Sequence, residues 1–149
     1  SADLPGLVQT SLNMGVLKLE DAALQTCFAL RSSCESQKQM LIERLESFFG
    51  LLGGEAQAQG DYPGWEYRRD SRLRDHVAKT WQDLSGTPAK IEAIHAGLEC
   101  GLFAGKIPDL DAVSLGPTMR DVHSVNERLS ISSTKRTFDL VCRALETWH

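Results

Sequence analysis

The chain has 149 residues, 42% hydrophobic and 24% charged, the mix of a folded protein large enough for one ordinary domain or two small ones, not a disordered one. With 16 Lys and Arg against 20 Asp and Glu the net charge is -4, which removes the electrostatic case for a nucleic acid or an anionic membrane as partner. No apolar run approaches the roughly 20 residues that cross a bilayer, and residues 1–6 lack the charged start and apolar core of a signal peptide.

Residues 7–18 alternate. Val8, Thr10, Leu12, Met14 and Val16 share one face, and Gln9, Ser11 and Asn13 the other, which predicts a half-buried strand. Glu20 and Asp21 mark a turn. Leu24, Thr26, Phe28 and Leu30 then alternate with Gln25, Cys27, Ala29 and Arg31, a second strand expected to pair with the first as a hairpin. Ser32 followed by Glu35 fits a capping box. Leu41, Leu45, Phe48 and Leu52 lie on one helical stripe that Gly53 and Gly54 bring to a stop, and a short strand is expected over 55–59.

Tyr62-Pro63-Gly64-Trp65 is a turn, after which the pattern changes. Leu73, Val77, Trp81 and Leu84 form a second helical stripe ended by Gly86. Residues 89–94 read as a strand, 98–104 as a short helix and 112–115 as another strand. Phe138, Val141, Leu145 and Trp148 mark a closing helix from near Ser133. The fold class expected is α/β: a β-β-α-β two-layer half-sandwich over residues 1–69, followed over 70–149 by an α-β-α-β-α portion of a mostly parallel three-layer domain. Each half offers few strands for a closed core, so both are expected to continue before Ser1. The four cysteines contain no CxxC pair. Cys27 and Cys100 sit among apolar neighbours, as free buried thiols do, and a reducing, cytoplasmic setting is the expectation. His76 is expected on the surface of its helix and Trp65 at the domain junction.

His123 stands out because it follows the 112–115 run and the Gly116-Pro117 turn in a polar loop. Loops at the C-terminal ends of parallel strands are where open α/β sheets place their sites, and imidazole is the commonest zinc ligand. The alternative is an exposed or structural histidine. No second histidine stands at HxxH or HxxxH spacing, so no complete zinc site is local to this stretch.

The run SLGPTMRDVHSVNE resembles the last block of the co-catalytic zinc peptidases and aminoacylases. IHAGLECGLF resembles a block peculiar to the Xaa-His (aminoacyl-histidine) dipeptidases, and TSLNMGVL, FALRSS and YPGWEY stand in the order that family has them. The resemblance covers the chain from about residue 8 onward. It implies that residues 1–69 are the C-terminal part of a lid domain and 70–149 the C-terminal part of a catalytic domain. It implies a two-zinc enzyme that cleaves Xaa-His dipeptides, with His123 as one metal ligand and Arg31 as anchor for the substrate carboxylate. Asn13 is implied as a donor to the substrate or the developing oxyanion, and His95 and Glu99 as residues lining the pocket. Asp121 and Glu127 are candidates to orient the ring of His123. Each has a plainer alternative: an ion pair for Arg31, a solvent-facing amide for Asn13, a helix-terminus carboxylate for Glu99 and surface carboxylates for Asp121 and Glu127. The His-Ser-Pro usual in relatives is His123-Ser124-Val125 here, a change at a residue that is not a ligand. The family's other ligands have no counterpart in this sequence, so the 149 residues are expected to bind zinc weakly and not to catalyse alone. Two other readings stay open: a different two-zinc aminoacylase or dipeptidase, and a non-catalytic module that regulates or forms a homodimer through the exposed edge of the lid portion.

Overall fold

The computed structural model describes residues 1–93 and 98–149. It divides into two compact units, one of Ser1–Arg69 with Ala93–Asp109 and one of Asp70–Glu92 with Leu110–His149.

In the first unit, β1 (Thr10–Glu20) and β2 (Ala23–Ser32) form the expected antiparallel hairpin. One feature of it was hidden in the sequence. Met14 pairs with Phe28 but Val16 pairs with Cys27, so Gly15 is an extra residue bulged out of the ladder. A bulge flips the phase of alternation. Thr10, Leu12 and Met14 therefore share a face with Leu17 and Leu19, and Val16 moves to the other side. The simple period-two assignment of Val16 is corrected by this bulge.

Helix α1 (Glu35–Leu51) packs on the Phe28 face through Phe49, whose ring centroid lies 6.2 Å from that of Phe28. Leu41, Ile42, Leu45 and Phe49 are the half-buried apolar positions, while Phe48 is 56% exposed, so Phe49 takes the place assigned to Phe48. The helix ends as expected: the N–H of Gly54 donates to Phe49 O at 2.8 Å, and Gly53 has φ 76°. The capping box does not form. Cys34 is the N-cap, Ser32 Oγ accepts from the Cys34 N–H, and Glu35 is the first helical residue, where its Oε2 accepts from the N–H of Gly64 at 3.1 Å. Residues 55–59 form no strand. A strand needs a ladder partner, and none is offered to this run among the described residues.

The buried Lys38, 7% exposed, fastens α1 to the loop that follows: its Nζ reaches Asp61 Oδ1 at 2.5 Å, Tyr62 O at 2.9 Å and Glu35 Oε1 at 2.9 Å. Burial alone would lower the lysine pKa, but the bonds to Asp61 and Glu35 and the charges of both outweigh it and hold the pKa above 10.5. The same loop runs close to α3 (Glu99–Ala104): a β-carbon on Gly101 would lie 2.9 Å from Pro63 O and 3.5 Å from Trp65 Cβ. Only glycine permits that approach.

In the second unit, α2 (Arg72–Ser85) ends on Gly86 at φ 72°, as its sequence predicts. Its start is fixed from a distance. Ser71 Oγ accepts from the N–H of Arg74 and donates to Asp111 Oδ1 at 2.6 Å, and Asp111 Oδ2 accepts from the N–H of Leu73 at 3.0 Å. Helix α4 (Ile131–Glu146) packs on α2 with the N-cap Ser130 accepting from the N–H of Ser133. Its inward residues are Ser133, Thr137, Leu140, Ala144 and Thr147. The predicted stripe is the outer one instead, with Phe138 67% and Leu145 73% exposed. Trp148 alone of that row turns onto α2, where His76 also meets Ala144 O and Thr147 Oγ1. His76 is half-buried, not a surface residue: its Nε2 is 2.8 Å from Ala144 O, and its ring meets Trp148 edge-on at 5.1 Å.

Neither 112–115 nor the described part of 89–94 is a strand, because neither finds a ladder partner among the described residues. The strands of this unit are short: β3 (Met119–Arg120) pairs antiparallel with β4 (Arg128–Leu129). The chain is thus a mixed helix and strand protein of α/β class, with the parallel layer unformed among the described residues.

Candidate functional site

The β1–β2 register places Arg31 opposite Ser11 and Asn13 opposite Ala29. Residues paired across a ladder point to the same face, so Arg31 and Asn13 share the polar side of the hairpin, opposite the side on which Phe28 meets α1. They are diagonal neighbours there, within reach of a long side chain. Both are exposed. A guanidinium and a carboxamide so arranged can bind a carboxylate and a carbonyl of one small polar ligand.

Glu99 is the first residue of α3, exposed, where a carboxylate complements the helix dipole. His95 lies outside the described residues. Cys27 is exposed on the polar face of the hairpin and not a buried thiol. Cys34, Cys100 and Cys142 are half-buried, and all four are free.

His123 lies in the loop 121–127 that joins β3 to β4, an antiparallel hairpin in place of the expected end of a parallel strand. The loop is exposed throughout. Its base is fixed to the start of α4: the N–H of Ser130 donates to Thr118 O at 3.0 Å, and the N–H of Thr118 donates to the buried Ser133 Oγ at 2.8 Å. His123 has φ 65° and Asp121 φ 53°, left-handed values uncommon for residues with a β-carbon. Glu127 Oε2 accepts the main-chain N–H of His123 at 2.8 Å, and Asp121 Oδ2 accepts from Arg128 Nη2 at 2.9 Å. Glu127 thus braces the loop backbone and Asp121 pairs with the Arg128 side chain, and among the described residues neither bonds the imidazole. The run DVHSVNE contains both acidic residues, but only the folded loop shows which group each one holds.

Zinc takes roughly three or four nitrogen, sulfur or oxygen ligands. Among the described residues no three His, Cys, Asp or Glu side chains converge. The exposed imidazole of His123 fits the donor chemistry of one ligand, and the described residues do not complete a site around it. Among these residues, too, no helix is long and apolar enough to cross a membrane.

No protein-family model matches the chain. The cytosol non-specific dipeptidase of Escherichia coli (strain K12) is 38% identical over 141 residues, 95% of this chain and 29% of that protein. The uncharacterized protein YqjE of Bacillus subtilis (strain 168) is 24% identical over 114 residues, 75% of this chain and 30% of its own length. The crystal structure of aminoacylhistidine dipeptidase from Vibrio alginolyticus matches all of this chain and 30% of its own, with TM-score 0.89 and 34% identity. The chain therefore spans about 30% of the relatives it matches.

Proposed function

Since the chain is a relative of the aminoacyl-histidine dipeptidases over nearly its whole length, we propose that the protein carrying it is a metal-dependent dipeptidase that hydrolyses Xaa-His dipeptides. The structural likeness to an aminoacylhistidine dipeptidase carries this reading, and the exposed His123 and the shared face of Arg31 and Asn13 support it. Zinc bound in such an enzyme polarises the scissile carbonyl and lowers the pKa of a bound water. This chain's residues have simpler tasks. His123 offers a neutral imidazole as one ligand. Arg31 forks onto the substrate's terminal carboxylate, the group that separates a dipeptide from a longer chain's interior. Asn13 donates to the substrate carbonyl or the oxygen on which charge develops. His95 and Glu99 line the pocket. Residues 1–69 belong to a lid portion, whose hairpin edge pairs two copies, and 70–149 to a catalytic portion. The remaining ligands come from sequence outside these 149 residues, and the setting is cytosolic.

The name of the Escherichia coli relative, a non-specific dipeptidase, favours a second reading with the same chemistry and a broader choice of C-terminal residue. Assay of the intact protein on Xaa-His dipeptides, other dipeptides and N-acyl amino acids separates the two. A strong preference for C-terminal histidine supports the first reading, and equal rates on unrelated dipeptides the second. Cleavage of N-acyl amino acids alone would sink both.

A further inference from the structure

Loop 121–127 spends its hydrogen bonds on backbone shape. Asp121 and His123 both occupy the left-handed region, at φ 53° and 65°, a conformation that persists only where neighbours over-determine it. Here they do. The N–H and Oγ–H of Ser124 both donate to Asp121 O, at 3.2 and 2.6 Å. Arg128 Nη2 donates to Asp121 Oδ2 at 2.9 Å, and the N–H of Glu127 to Ser124 O at 3.1 Å. His123 itself is held by its own N–H, which donates to Glu127 Oε2 at 2.8 Å.

We propose that Glu127 is a positioning residue, whose carboxylate captures the His123 main-chain N–H and so fixes the direction in which the imidazole leaves the loop. The proposal deepens the ligand reading of His123 and rests on it. The angle φ sets where the β-carbon points, and a metal bond tolerates little error in ring direction. A carboxylate that bonds the imidazole orients a ring within a given backbone. Glu127 works one step earlier, on the backbone that carries the ring. The task needs an sp² oxygen at that reach and not a negative charge. Glutamine retains such an oxygen, and alanine has none.

The test uses the intact protein as parent, Glu127→Ala, Glu127→Gln and His123→Ala. Zinc affinity is measured by chelator competition, the absorption spectrum is recorded with Co²⁺, and the His123 amide resonance is followed after selective ¹⁵N-histidine labelling. Glu127→Ala should weaken zinc binding about 10–100-fold, the usual loss when a supporting partner of a ligand is removed, while Glu127→Gln stays within about threefold of the parent. The His123 amide should shift in Glu127→Ala and stay near its parent position in Glu127→Gln, and the Co²⁺ spectrum should follow the same order. Parent-like behaviour of Glu127→Ala, with zinc lost in His123→Ala, overturns the role of Glu127 alone. A Glu127→Gln variant as weak as Glu127→Ala overturns it in favour of a charge or ligand role for the carboxylate. Unchanged zinc affinity in His123→Ala overturns the ligand reading, and the role of Glu127 with it.

Discussion

At the scale of the residue, side chains of similar appearance in the sequence separate by what they touch. Asp111 and Asp121 are both loop aspartates. Asp111 closes the start of α2 with two bonds to residues about 40 positions away, whereas Asp121 braces its own loop against Arg128. No local pattern announces the first of these. For His123 the expected outcome is direct: His123→Ala in the intact protein should lower activity by roughly 100-fold or more and reduce bound metal, measured by elemental analysis after dialysis. For Arg31, a guanidinium that binds the substrate carboxylate contributes on the order of 1.5–3 kcal/mol. Arg31→Ala should therefore raise KM roughly 10–100-fold with kcat little changed, the mark of an interaction present already in the ground state. Equal KM in variant and parent would remove it from the site.

At the scale of the element, the joints set the geometry. The hairpin was legible because alternation survives on both strands, yet the bulge at Gly15 was not, since a phase shift shows itself only against a partner strand. The turn at Gly64 is a close passage: a β-carbon there would lie 2.7 Å from Ser33 O, a main-chain atom with no flexible end to move aside. Gly64→Ala should cost about 1–3 kcal/mol, read as a lower denaturation midpoint of the intact protein. Lys38 joins α1 to the same loop. Its raised pKa means that the folded state binds that proton more tightly than the unfolded state does. The contribution is therefore full below 10.5 and is lost as pH rises through the higher folded value. Glu35 and Asp61 are more than half exposed, which keeps the contribution to about 1 kcal/mol. Lys38→Met should destabilise the intact protein by that amount near pH 7, with the gap to the parent closing above 10.5. A gap that instead widens with alkalinity would show the cluster to be unfavourable.

At the scale of the whole molecule, the exposed apolar side chains are telling. Leu140 is the one buried hydrophobic residue among those described, while Leu17, Leu19 and Leu24 of the hairpin and Phe138 and Leu145 of α4 lie open. Each unit has well-made local elements whose apolar faces lack a cover within the described residues. The 149-residue chain alone should bind a hydrophobic dye strongly and sediment as heterogeneous aggregates, and the intact protein should bind little dye and sediment as one defined species. Weak dye binding by a monomeric chain would contradict this account.

The sequence by itself determined what depends on near neighbours: the hairpin, the helices and the glycine stops at Gly53 and Gly86, because period and capping are local properties. The motif blocks likewise pointed to the kinship, which the likeness over 95% of the chain to a dipeptidase and over all of it to an aminoacylhistidine dipeptidase bears out. Tertiary structure alone decided what depends on partners distant in the chain. It set the phase of β1 after Gly15, the face of α4 that packs inward, and the absence of strands at 55–59 and 112–115, where no ladder partner meets the run. It also decided that Glu127 grips the backbone of His123, because whether a carboxylate four residues away meets a ring or an amide depends on a left-handed turn that no spacing encodes.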